Sequence, residues 1–186
     1  MIKPYGWQKE VLETPGHLRV VIGGRRIGKS TLCGLVTRSY DAVLWLGPNY
    51  SMLSYARDVV VGDMPNMTYR NYNTLDITEL KDTFFNLIII DELFVLTLEG
   101  RLRVLQTLWR LWKLYPQSDW LVTGTPMGGA EIPFPTEVKT PQPLEVFRNL
   151  SEKLGKTWHI PSDDSSLRKL MPEKAYREEI LAEFLE

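Results

Sequence analysis

The sequence predicts an α/β fold with a mainly parallel central sheet flanked by helices, and three observations predict it. Apolar runs of strand length alternate with segments of helical period along most of the chain. The runs are continuously apolar rather than alternating, which marks strands covered on both faces. A glycine-rich turn joins the first run to the first helical segment, the connection expected of a strand-loop-helix unit. Repeated units of this kind close into a parallel sheet, because right-handed crossovers put the helices on its faces.

The elements follow in order. Leu18-Arg19-Val20-Val21-Ile22 is a strand, and Lys29 to Tyr40 a helix carrying Leu32, Leu35 and Val36 at helical spacing. Ala42-Val43-Leu44-Trp45-Leu46 is a second strand, closed by Gly47-Pro48-Asn49 and followed by a helix-like stretch from Ser51 to Val60. Residues 62 to 82 mix polar, aromatic and turn-forming types, with short strand character around Met67-Thr68-Tyr69. Phe84 to Ile90 is the most apolar run and is expected at the centre of the sheet. Leu102 to Leu114 repeats Leu105, Leu108, Trp109 and Trp112 at steps of three and four, an amphipathic helix with both tryptophans facing the core. Trp120 to Thr123 is the next strand. Prolines at 126, 133, 135, 141 and 143 then predict an extended loop. Leu144 to Leu154 reads as a helix, Thr157 to Ile160 as a strand, and Pro172 to Glu186 as a helix starting at a proline.

A chain of 186 residues fits a single domain, 1–186, large enough to bury a core without disulfides or metal. The hydrophobic share of 44% and charged share of 24% are ordinary globular values, and they exclude a fibrous or disordered chain. Net charge is −1, so any attraction to nucleic acid has to come from local basic clusters. Cys33, the only cysteine, falls in the helix behind the glycine-rich turn and suits core packing. No run reaches the roughly 18 apolar residues of a membrane span, and the start lacks a signal-peptide core, so the expected compartment is the cytoplasm. His17 and His159 have no ligand cluster around them in sequence, and no metal-binding histidine is expected.

Gly23-Gly24-Arg25-Arg26-Ile27-Gly28-Lys29-Ser30 has the spacing G-x-x-x-x-G-K-[ST], in the strand-loop-helix setting that a phosphate-binding loop needs. The glycines allow the backbone to turn its N–H groups towards phosphate, and the helix that follows adds its positive end. Lys29 is expected on the β and γ phosphates of ATP and Ser30 on Mg²⁺, with Thr31 beside them. Arg25 and Arg26 put unusual positive charge beside the transferring phosphate.

Asp91 and Glu92 close the most apolar strand at its carboxyl end, the edge where open α/β sheets bind ligands. Asp91 suits Mg²⁺, and Glu92 suits orienting and deprotonating the attacking water. Thr123-Gly124-Thr125-Pro126 ends the next strand in hydroxyls able to touch the γ-phosphate and relay its loss. Gln8, ahead of the first strand, is a candidate for reading an adenine edge. Arg101, Arg103, Arg110 and Lys113 give one helix a basic character suited to solvent, DNA or a neighbouring subunit.

Taken in order, Gln8, the Gly-Gly-Arg start of the loop, Gly47-Pro48-Asn49-Tyr50, Ile90-Asp91-Glu92 and Thr123-Gly124-Thr125-Pro126 resemble the ATPase domain of a viral, tailed-bacteriophage-type terminase large subunit. The closing segment 177 to 185 looks like the one that ends this domain before a nuclease domain. The resemblance implies a three-layer P-loop NTPase of RecA/ASCE-like design that hydrolyses ATP with Mg²⁺. Lys29 and Ser30 would be its phosphate and metal residues, Arg25 its loop arginine, Asp91 and Glu92 its acid pair, and Thr123 to Thr125 its coupling motif. The implied work is pumping double-stranded DNA into a procapsid in the host cytoplasm. A pentameric ring of subunits would do this with a portal protein and a small terminase subunit.

Three departures stand out. Arg26 and Ile27 replace small residues, and Glu79-Leu80-Lys81-Asp82 lacks the Arg-Gly pair that supplies the family's trans-acting arginine. That cation is then open among Lys81, Arg101 and Arg103. The nuclease domain is not within these residues, so DNA cutting is not expected of them, and the helical pattern at the end is consistent with a piece of a longer protein. A helicase-like translocase and a P-loop small-molecule kinase remain alternatives for the same motifs.

Overall fold

A computed structural model describes residues 3–62, 64–95, 97–126, 141–162, 177 and 182. Its elements run α1 Gly6–Glu13, β1 Leu18–Gly23, α2 Lys29–Thr37, β2 Val43–Gly47, α3 Tyr50–Tyr55, β3 Met67–Asn71, β4 Leu87–Ile90, α4 Leu98–Leu114, β5 Asp119–Gly124, α5 Pro143–Leu154 and β6 Gly155–Ile160. A π-helical turn, Ala56–Val61, continues α3, and a 3₁₀ turn, Ile77–Leu80, precedes β4. Most of the proline-rich stretch and of the expected last helix lies outside the described residues.

All six strands lie in one sheet in the order β3-β2-β4-β5-β1-β6, and every pairing is parallel. The continuous apolar runs are explained by two cores, one on each face of this sheet. Leu18, Val20, Ile22, Leu44, Leu46, Ile88, Ile90, Trp120 and Val122 face one core, with Val104, Leu108 and Leu111 of α4 and Leu144 and Phe147 of α5. Val21, Val43, Trp45, Leu87, Ile89 and Leu121 face the other, with Val11 of α1, Leu32, Cys33 and Val36 of α2, and Leu53 of α3. Successive residues of a strand alternate between the two, as the pleat requires. The three-layer α/β expectation holds.

The edge strand β3 is only half-buried, which is why its residues carry no apolar run. Two sequence readings are corrected. The apolar run before β4 does not all become strand: Phe84 is exposed, Phe85 is buried and Asn86 accepts from the Ala42 N–H through its side chain. Trp109 does not face the core. It is 53% exposed, with the Lys113 ammonium 5.2 Å from its ring centre. Trp112 does pack inward, 4.8 Å from Trp120 and 6.5 Å from Phe147 between ring centres.

This difference predicts how the two tryptophans respond to truncation. Trp112→Ala should cost on the order of 3 kcal/mol in urea unfolding, because it removes ring contacts that the sheet cannot refill. Trp109→Ala should cost less than about 0.5 kcal/mol.

Candidate nucleotide site

The site forms where the carboxyl ends of β1, β4 and β5 meet. β5 lies between the other two, and its register sets Ile22 beside Gly124 and Ile90 beside Val122. The turns after the three strands therefore emerge side by side, bringing residues 23–30, 91–92 and 123–125 together.

The loop after β1 is shaped by two tight spots. Gly28 has φ 90°, and a Cβ there would lie 3.0 Å from the Gln8 side-chain nitrogen, so only glycine fits. Gly23 leaves the space that the Ile27 side chain occupies. The loop is also tied outward, since Gly24 N donates to the Ile160 carbonyl of β6. Helix α2 begins at Lys29, and no side chain caps its N-terminus, which leaves its first N–H groups to an incoming anion. Arg25 and Arg26 are exposed on the loop, and Arg26 takes a left-handed φ of 61°.

Lys29 is 6% exposed and its ammonium is fully engaged. It donates to the carbonyls of Gly23 at 3.0 Å and Gly24 at 2.9 Å and to the Thr125 hydroxyl at 2.8 Å. The Glu92 carboxylate lies 3.5 Å away and also accepts from Thr125 N at 3.1 Å. Asp91 is 4% exposed and accepts from the Thr123 hydroxyl at 2.9 Å and from Ser30. Burial raises the Asp91 carboxyl above the usual carboxylate range, and the negative Glu92 adds to this. The hydrogen bonds from Ser30 and Thr123 and the charge of Lys29 oppose it.

A buried carboxylate beside a serine hydroxyl is the donor chemistry of a hard cation, so Ser30 and Asp91 fit Mg²⁺. Among the described residues, no group of three or more His, Cys, Asp or Glu could hold a metal by itself. A magnesium ion here would rely on oxygens from nucleotide and water.

The structure thus gathers Lys29, Ser30, Asp91, Glu92 and Thr125, with Gly23, Gly24, Ile27 and Gly28 forming the loop. Gln8 is completely buried beneath it, on a helix that the sequence pattern did not reveal. Its amide accepts from Tyr5 N and donates to the Gly28 carbonyl, each at 2.9 Å, so its polar atoms act on the loop. Thr123 is a correction: its side chain is buried rather than turned to a phosphate, donating to Asp91 and accepting from Glu92 N at 3.2 Å. Cys33 packs beneath Asp91, its thiol pushed up by burial. Tyr72 was not foreseen at all; it reaches the backbone of Glu92 and Phe94 from a segment with no periodic signal.

Fold and loop together define a parallel α/β domain with a glycine-rich loop between its first strand and the helix that follows. No protein-family model matches the chain, and no curated protein does. Among solved structures it is similar to the large terminase ATPase domain of Thermus phage P74-26. That similarity has 15% sequence identity and a TM-score of 0.60, covering 98% of this chain and 94% of that one. A point mutant of the same phage domain matches at 15% identity and a TM-score of 0.59, over 98% and 95%. What is shared is the fold.

The Gln8 geometry makes a direct prediction. Gln8→Ala leaves the Gly28 carbonyl and Tyr5 N without these partners, and should cost on the order of 1–3 kcal/mol in thermal or urea unfolding. Because the amide acts on the loop, ATP and GTP affinities measured by calorimetry should fall by the same factor. A selective loss of ATP would instead mean that Gln8 reads the adenine.

Proposed function

We propose that this chain is the ATP-hydrolysing motor domain of a large-terminase-type machine that drives double-stranded viral DNA into a procapsid. The observation that carries this is the meeting of Lys29, Glu92 and Thr125 within hydrogen-bonding and ion-pair reach at the sheet edge. It occurs within a fold similar to a phage large terminase ATPase domain along nearly all of the chain.

In this proposal the N–H groups of the loop and of the start of α2 hold the phosphates of ATP, with Lys29 supplying charge to them. Gln8, Gly23, Gly24, Ile27 and Gly28 shape that cradle. Arg25 and Arg26 add positive field at its rim, and Thr31 sits on the first turn of α2. Ser30 and Asp91 hold Mg²⁺, which neutralises phosphate charge when bound. Glu92 orients the attacking water and takes its proton. Thr125 touches both Lys29 and Glu92, so it is placed to respond when the occupant of the loop changes.

Double-stranded DNA, a ring of copies of this chain, a portal protein and a small terminase subunit are the proposed partners, at the procapsid in the host cytoplasm. Among the described residues, no helix is long and apolar enough to cross a membrane. Of the candidates for a cation acting on a neighbouring subunit, Lys81 and Arg103 are exposed, while Arg101 is partly buried and donates to the Val95 carbonyl.

Turnover of ATP, measured with and without double-stranded DNA, tests the proposal. Glu92→Ala should lower kcat on the order of 10²- to 10⁴-fold while ATP still binds, and DNA should stimulate only the unsubstituted chain. Equal rates in the two proteins would overturn it.

A further inference from the structure

Segment 91–94 leaves β4 and is not part of a strand, yet its N–H groups are caught one after another. Asp91 N donates to the Leu46 carbonyl of β2. Glu92 N and Leu93 N donate to the hydroxyl and carbonyl of Thr123 on β5. Phe94 N donates to the Tyr72 hydroxyl at 3.2 Å. The same hydroxyl lies 3.0 Å from the carbonyls of both Glu92 and Phe94, its single proton shared between them. Burial holds this phenol in its protonated, donating form.

Glu92 needs such a hold. Its φ is 56°, a left-handed conformation that a residue with a side chain rarely adopts unless its surroundings impose it. Tyr72 is rigid enough to impose it. Its ring is 1% exposed within one of the two cores, its N–H extends the β2–β3 ladder by donating to the Gly47 carbonyl, and Asn73 beside it donates to the Pro48 carbonyl.

We propose that Tyr72 is a positioning residue for hydrolysis: its hydroxyl fixes the backbone of Glu92 from the β3 side, while from the β5 side Thr123 accepts from Glu92 N and Thr125 N donates to the Glu92 carboxylate. The Glu92 carboxylate is thereby held at Thr125 N, facing Lys29. The hydroxyl of Tyr72 bonds to the segment after β4 and not to the phosphate-binding loop, so its effect falls on the chemical step rather than on nucleotide affinity. This rests on Glu92 acting as the base.

The test compares Tyr72→Phe, which removes one oxygen, with Tyr115→Phe. Tyr115 also donates a buried hydroxyl to backbone carbonyls, those of Leu80 and Thr83, away from the site. For Tyr72→Phe, kcat should fall on the order of 10- to 100-fold, with KM for ATP and the affinity for a slowly hydrolysed ATP analogue unchanged. Tyr115→Phe should lower Tm comparably and leave kcat alone. A kcat for Tyr72→Phe within about twofold of the unsubstituted chain, a rise in KM at constant kcat, or an equal loss in Tyr115→Phe would overturn the inference. If Tyr72→Phe fails to fold, Asn73→Ala loosens the same turn; it should lower kcat less, again at constant KM, and an unchanged kcat would count against the inference. Glu92→Ala keeps the two ideas apart. Retained turnover there sinks the assignment of Glu92 itself, whereas its loss beside an intact Tyr72→Phe sinks only the role of Tyr72.

Discussion

The buried ammonium of Lys29 is the point on which the site depends. A lysine has three protons to donate, and removing it from water is tolerable only if acceptors take their place. Here the takers are two carbonyls at the end of β1 and one hydroxyl after β5, with the carboxylate that follows β4 alongside. That set exists only because β5 separates β1 from β4 and all three run parallel. With another strand order, the same motifs would sit at separate places on the sheet edge. The topology is therefore a condition of the chemistry, and the apolar runs that build the two cores serve the site by fixing that order.

Hydroxyls link the charged groups to one another. Thr123 touches Asp91 with its proton and Glu92 N with its lone pair, while Thr125 touches Lys29 with its side chain and Glu92 with its N–H. Two neighbouring carboxylates repel, and each would otherwise drift towards water. Opposite commitments of adjacent backbone and side-chain donors keep them apart in role: Asp91 buried against Ser30, Glu92 partly open beside the lysine. A change on the glycine-rich loop after β1 therefore has a short covalent and hydrogen-bonded route into the segment after β5.

The strands, α4, the glycine-rich loop between β1 and α2 and the place of Asp91 and Glu92 at the end of β4 were legible in the sequence because each leaves a local signature: an apolar run, a period of 3.6, or fixed glycine spacing. What escaped was set by tertiary contact. Trp109 and Trp112 both fit an apolar period, but a helix on one face of a sheet buries only a stripe, and Trp109 falls at its margin where Lys113 covers it. Gln8 looks like any polar residue before a strand, and only the approach of α1 to Gly28 gives it a role. Tyr72 lies in a stretch with no period at all, and its hydroxyl matters because β3, β2 and β4 are neighbours, a relation that no spacing along the chain encodes.

The two bulky residues in the loop, Arg26 and Ile27, are resolved by geometry. To serve the proposed phosphate cradle, the loop must keep its N–H groups pointing inward, so large side chains are tolerated only if they turn elsewhere. Ile27 does this by filling the space over Gly23, which makes the absence of a side chain at 23 a steric requirement as well as a matter of turning. Arg26 does it by adopting a left-handed backbone that sends its cation outward, at a cost in strain of about 1 kcal/mol or more. Arg26 and Glu92 are the two non-glycine residues of the described site that take a left-handed backbone. Glu92 is held there by its neighbours Thr123 and Tyr72.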